Sequence, residues 1–143
     1  MKPIRLMLKA GERLYVNGAV LRFDRKATVE IMNDVVFLLE NHVLQPEETT
    51  TALRQLYFVL QSMLIEPSTA EHARTLYGQQ MPRLLQTFSD PKIREGLARV
   101  DEHIGQNRAF DAMKIVRSLF PIEAEILAGN RDHNSANAAI CAA

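Results

Sequence analysis

An α+β fold is what this sequence predicts, and three observations carry that expectation. Up to Gln45-Pro46 the apolar residues alternate with period two, and beyond it they recur at i, i+3, i+4 and i+7. Asn17-Gly18 sits between two short alternating segments, the strongest local signal for a hairpin turn. The chain has 143 residues, 47% of them hydrophobic; a chain of that size buries roughly 70% of its unfolded surface around one core. The expected organisation is a β-rich N-terminal subdomain over 1–45, a helical subdomain over 46–128, and a tail over 129–143 expected to be disordered. The β part is expected as a small antiparallel sheet or partial barrel of about five strands, followed by about four α-helices.

The first strand puts Ile4, Leu6 and Leu8 on one face and Arg5, Met7 and Lys9 on the other. Ala10-Gly11-Glu12 turns the chain into Arg13-Leu14-Tyr15-Val16. A type I′ turn at Asn17-Gly18 then returns it through Ala19 to Phe23, with Leu21 and Phe23 on the apolar face. Asp24-Arg25-Lys26 leads into Ala27 to Ile31. After a weaker turn at Asn33-Asp34, Val35 to Leu39 is apolar on both faces, which predicts a strand covered on both sides.

Leu53, Leu56, Tyr57, Leu60 and Leu64 form the buried stripe of a first helix, ended by Pro67. Ser68-Thr69-Ala70-Glu71 has the form of a capping box and opens a second helix, in which Gly78 and Pro82 predict a break near Met81. Asp90-Pro91 opens a third helix carrying Ile93, Leu97, Val100 and Ile104. Asn107 is the expected cap of a fourth, which Pro121 either kinks or ends. Met63, Met81 and Met113 read as gap-filling core residues.

Chemistry is sparse. No metal-ligand spacing of His and Cys occurs, and GxSxG, GxGxxG and GxxxxGK[ST] are absent. Asp101-Glu102-His103 is an unconvincing acid–base cluster, because adjacent helical residues point about 100° apart. His42 reads as a junction hydrogen-bonder. Cys141, the one cysteine, forms neither an internal disulfide nor a thiolate metal site. The expectation is a non-enzyme without metal or cofactor. No apolar run approaches the ~20 residues that span a bilayer, so the expected setting is the cytoplasm, with no membrane partner.

The 17 Lys+Arg and 17 Asp+Glu cancel over the chain, but not along it. Residues 1–26 carry Lys2, Arg5, Lys9, Arg13, Arg22, Arg25 and Lys26 against Glu12 and Asp24, a net +5. Residues 27–66 carry Arg54 against Glu30, Asp34, Glu40, Glu47, Glu48 and Glu66, a net −5. With a two-residue turn, Arg13 stands opposite Arg22, an arrangement that costs a few tenths of a kcal/mol unless an anion lies between them. Tyr15 shares that face as a stacking surface. Arg5, Lys9, Arg13, Tyr15, Arg22, Arg25 and Lys26 are therefore the candidate RNA-binding residues, cations for phosphates and a ring for a base. A solvated face that blocks strand-to-strand aggregation explains the same pattern and is the commoner case.

Several blocks also carry a family resemblance. Leu8 to Arg13, Asn17-Gly18-Ala19, Leu39 to Leu44 and Ala52 to Phe58 resemble the flagellar biosynthesis regulator FlbT of alphaproteobacteria. The resemblance covers the β half and first helix and thins through the later helices. It implies post-transcriptional control: association with the 5′ untranslated region of flagellin mRNA, with repression or decay of the transcript. It also implies FlaF as a protein partner. The other reading is a protein-interaction adaptor acting through FlaF or flagellin, with RNA association only indirect. Self-association as a homo-oligomer is left open by the wide apolar circumference of the helices.

Overall fold

The structure, a computed structural model, describes residues 3–33 and 35–129. The tail beyond Gly129, Cys141 included, and Asp34 of the weak turn lie outside the described residues. Among the described residues five strands precede four α-helices: β1 (Ile4–Leu8), β2 (Arg13–Val16), β3 (Ala19–Arg22), β4 (Ala27–Ile31), β5 (Phe37–Leu39), then α1 (Ala52–Ile65), α2 (Ala70–Thr87), α3 (Pro91–Gly105) and α4 (Ala109–Leu127). The fold is α+β. Its strands form not one sheet or a partial barrel but two small antiparallel sheets, a β1-β4 pair and a β3-β2-β5 trio.

Asn17 and Gly18 both have positive φ, 47° and 87°, as a type I′ turn requires. The register follows from that turn: Val16 pairs with Ala19, Tyr15 with Val20, Leu14 with Leu21 and Arg13 with Arg22. On the other side of β2, Leu14 faces Leu39 and Tyr15 faces Leu38. The strand expected over 35–39 is shorter, since only Phe37 to Leu39 finds a ladder. Of its residues Leu38 is buried, with Phe37 and Leu39 half-buried.

The core is helical. Leu53, Leu56, Leu60, Ile93, Leu97, Val100 and Val116 are completely buried, and Met63, Met81 and Met113 fill gaps among them. Gly96 lets α3 and α4 approach closely: a Cβ there would sit 2.7 Å from Leu119 Cδ1. Leu38 joins this core and Tyr15 packs against it, so one face of the three-stranded sheet rests on the helices. Leu8 and Leu14 are buried outside that cluster.

Helix boundaries differ from expectation in three places. Ser68 does not cap α2; residues Pro67–Thr69 form a single 3-10 turn and Thr69 precedes the helix without a side-chain cap. α2 runs unbroken through Pro82. Pro82 and Gly78, four residues earlier, are both exposed, so the carbonyl that loses its partner faces water and no Cβ crowds the ring. Asn107 is left-handed at φ 60° and lies one residue before the N-cap, Arg108. Pro121 is likewise accommodated inside α4. Asp90 behaves as predicted, its carboxylate accepting from the Lys92 and Ile93 N–H groups.

Candidate nucleic-acid interface

Alternation along β2 sends Leu14 to one side of the sheet and Arg13 and Tyr15 to the other. Tyr15 is half-buried against the helical core, so only part of its ring is open to a ligand. Arg13 and Arg22 lie two residues farther from the turn than Tyr15 and Val20. They face one another across the β2–β3 ladder, both exposed. Neither has an ion-pair partner among the described residues.

The segments linking the two sheets gather further charge beside this pair. Glu12 accepts a bond from the Phe23 N–H at 3.1 Å, and the Gly11 N–H donates back to the Phe23 carbonyl. That joins the Lys9–Glu12 and Phe23–Lys26 connections side by side. Leu8 pairs with Ala27, so the same register carried one step further sets Lys9 opposite Lys26. Both are exposed. The Glu12 carboxylate is occupied locally, accepting from the Lys9 backbone N–H at 2.8 Å rather than neutralising Arg13. Arg25 meets Asp24 at 3.5 Å with both side chains more than 80% exposed, a pairing of little energetic weight.

Arg5 is separate. It lies four residues along β1 from Lys9, roughly 13 Å at the rise of a strand, and its guanidinium pairs at 3.0 Å with Glu30, its cross-strand neighbour. The structure therefore brings together Lys9, Arg13, Arg22, Arg25 and Lys26 at one end of the β half, leaves Arg5 partly neutralised, and turns much of Tyr15 inward.

Other polar side chains serve the fold. Glu123, 2% exposed, accepts from the Leu53 N–H at 2.9 Å and so closes the start of α1. Burial pushes its carboxyl pKa up, against the opposing effects of bonds from Thr51 and Leu53 and the charge of Arg54. Gln61 clamps the approach to α1, accepting from the Leu44 N–H at 2.7 Å and donating to its carbonyl at 2.9 Å. His42 is a junction residue through its carbonyl, which accepts from the Tyr57 hydroxyl. Burial and the nearby Arg117 charge hold its imidazole below the usual range. Asp101 accepts from Tyr77 at 2.7 Å.

Sequence reasoning missed one basic feature. A cleft of about 480 Å³ is lined by Val36, Met63, Leu64, Arg74, Arg108 and Phe110, among others. Its arginines are already engaged, Arg74 with the Asn107 side chain and Arg108 with Asp111 at 2.8 Å. Residues so far apart in sequence give no local signal of a shared wall.

No group of three or more His, Cys, Asp or Glu among the described residues is placed to hold a metal ion. No described helix is long and apolar enough to cross a membrane. The pattern of the family described as "Flagellar protein FlbT" matches residues 4–127. The chain belongs to the FlbT family. A relative from Brucella anthropi is 54% identical over 127 residues, 88% of this chain and 84% of its own. One from Brucella ovis is 53% identical over 124 residues, 87% of this chain and 82% of its own. One from Mesorhizobium japonicum is 46% identical over 129 residues, 90% and 88% respectively. Each of these FlbT relatives is named a probable flagellum biosynthesis repressor protein. No solved structure matches the chain significantly. The match to the family runs through all four helices, where the sequence resemblance had thinned.

Proposed function

We propose that this chain is a non-enzymatic, cytoplasmic regulator of flagellum biosynthesis that acts after transcription. It binds the 5′ untranslated leader of flagellin mRNA on the basic end of its β half and lowers expression of the transcript. The observation that carries this reading is Arg13 directly opposite Arg22, without a carboxylate between them among the described residues. Like charges held in that geometry favour an anionic ligand. Lys9, Arg25 and Lys26 extend the patch along the track a phosphate backbone would follow. The names of the family members support the regulatory half of the proposal. No reaction or cofactor is needed: occupying the leader excludes ribosomes or presents it to nucleases.

Titration of the protein with labelled flagellin leader RNA at several salt concentrations tests this directly. Binding should weaken steeply with salt. Arg13→Ala with Arg22→Ala should flatten the logarithmic slope by about 0.7 for each single-strand phosphate that is no longer neutralised. Absence of binding at low salt, or a double variant that binds like the parent, would overturn it. A second reading is favoured by Ile4, Met7 and Met32, which expose 47%, 70% and 66% of their surface. In that reading the chain is an adaptor that docks FlaF or flagellin, and RNA follows indirectly. It predicts capture of those proteins with no salt-sensitive RNA binding by the isolated chain.

A further inference from the structure

Leu39, Leu14 and Leu21 stand in one row across the three-stranded sheet, by the pairings of Leu14 with each of the others. The row is 1% exposed at Leu14 and 45% exposed at Leu21, where the sheet ends. Among the described residues β3 has no neighbour on its outer side, and all four of its residues are exposed. A two-residue type I′ turn makes Val16 and Ala19 a hydrogen-bonded pair, so Leu14 and Leu21 form the next one. Val20 and Arg22 therefore aim their N–H and C=O groups away from β2. No proline lies within β3 to blunt this edge.

We propose that the β3 edge pairs with the β3 edge of a second copy of this chain, antiparallel about a two-fold axis at Leu21. One register uses every outward group: Val20 opposite Arg22 of the second copy, and the reverse by symmetry, giving four backbone hydrogen bonds. Shifting the two-fold to Val20 would require the same groups from Gly18, whose φ of 87° takes it out of the strand. Shifting it to Arg22 would place like charges directly opposite.

One feature selects a second copy over a foreign strand. The leucine row continues without interruption into Leu21, Leu14 and Leu39 of the second copy, covering the exposed end of each. The opposing effect is the approach of the two Arg22 side chains, which stand diagonally, roughly 7–8 Å apart. Interfaces below about 1,200 Å² are weak and transient, and two four-residue edges belong to that class. The dimer is therefore reversible, its population rising with concentration whether or not RNA is bound.

A disulfide trap tests the register. Leu21 and its symmetry mate would be a non-hydrogen-bonded pair with Cα atoms about 4.5 Å apart, inside the range a disulfide bridges. In a Cys141→Ser background, Leu21→Cys should form a covalent dimer under mild oxidation at least tenfold faster than Met7→Cys or Met32→Cys, at positions that are more exposed. Val20→Pro removes an outward N–H while sparing the β2–β3 ladder, and should abolish dimer in sedimentation equilibrium with an unchanged circular dichroism spectrum. Val20→Thr, which keeps the N–H, should dimerise like the parent. Equal oxidation rates at the three cysteine positions, or a parent chain that sediments as a monomer up to millimolar concentration, would overturn the proposal.

Discussion

The helical half and the β half of this protein solve the same problem with opposite success. Among strand residues, the buried hydrophobics are Leu8, Leu14 and Leu38, whereas each helix buries a full stripe. Of the exposed large hydrophobics among the described residues, Ile4, Met7, Val20, Leu21, Met32 and Val36 precede α1, and Leu76 alone lies in a helix. A helix satisfies its own backbone and needs one covered face. A short strand needs neighbours on both edges and cover on its faces, and two- and three-stranded sheets supply few. The helices are thus the stable body, while the strands offer unpaired edges, apolar faces and positive charge for other molecules to meet.

This contrast is sharpest in core deletions. Leu97→Ala, at a fully buried site on α3, should cost about 2–5 kcal/mol. Leu21→Ala should cost far less in dilute monomer, and chemical denaturation of the two variants compares them. Equal losses would show that the β half shares the helical core's cooperativity.

Glu123 tests the helical half through its polar interior. Glu123→Ala leaves the Leu53 N–H unpaired and should cost about 1–3 kcal/mol. Glu123→Gln keeps a hydrogen-bond acceptor and removes the charge. Because burial raises the carboxyl pKa in the folded state, its contribution to stability is fully present below the unfolded carboxylate pKa. It is lost as pH rises through the folded value. Melting curves from pH 4 to 7 should therefore show Glu123→Gln gaining on the parent as pH rises. A constant difference would refute the buried, raised carboxyl.

Gly18→Ala should destabilise by about 1 kcal/mol, since its φ of 87° disfavours a side chain and the added Cβ presses on Pro67 at 3.2 Å. The smallest effect belongs to the arginine pair. Arg13→Ala should leave thermal stability unchanged or raise it by a few tenths of a kcal/mol, by relieving repulsion from Arg22. A clear loss would mean that Arg13 has a structural partner, which would weaken the case for an anionic ligand.

The chain's own residues determined much of what depends on neighbours in sequence, although the capping box read at Ser68 does not form. Asn17-Gly18 set the hairpin and its register, down to Arg13 opposite Arg22, because only one turn type suits those two residues. Asp90-Pro91 set the start of α3 because a carboxylate and a ring act on the adjacent turn. Tertiary structure decided what depends on distant partners. Glu123 closes α1 from seventy residues away, so no local pattern announces it. Pro82 stays helical because Gly78 is open to water. Tyr15 turns inward because the sheet face it shares with its cross-strand neighbour Leu38 rests on the helices. The strands divide into two sheets because β1 finds β4 while β5 finds β2. Charge totals gave a basic first segment, but only the joining of the Lys9–Glu12 and Phe23–Lys26 connections gathers five of its cations at one end. The reason is common to all of these: turn and cap preferences act over a few residues, whereas burial and pairing are settled only when the whole chain has closed.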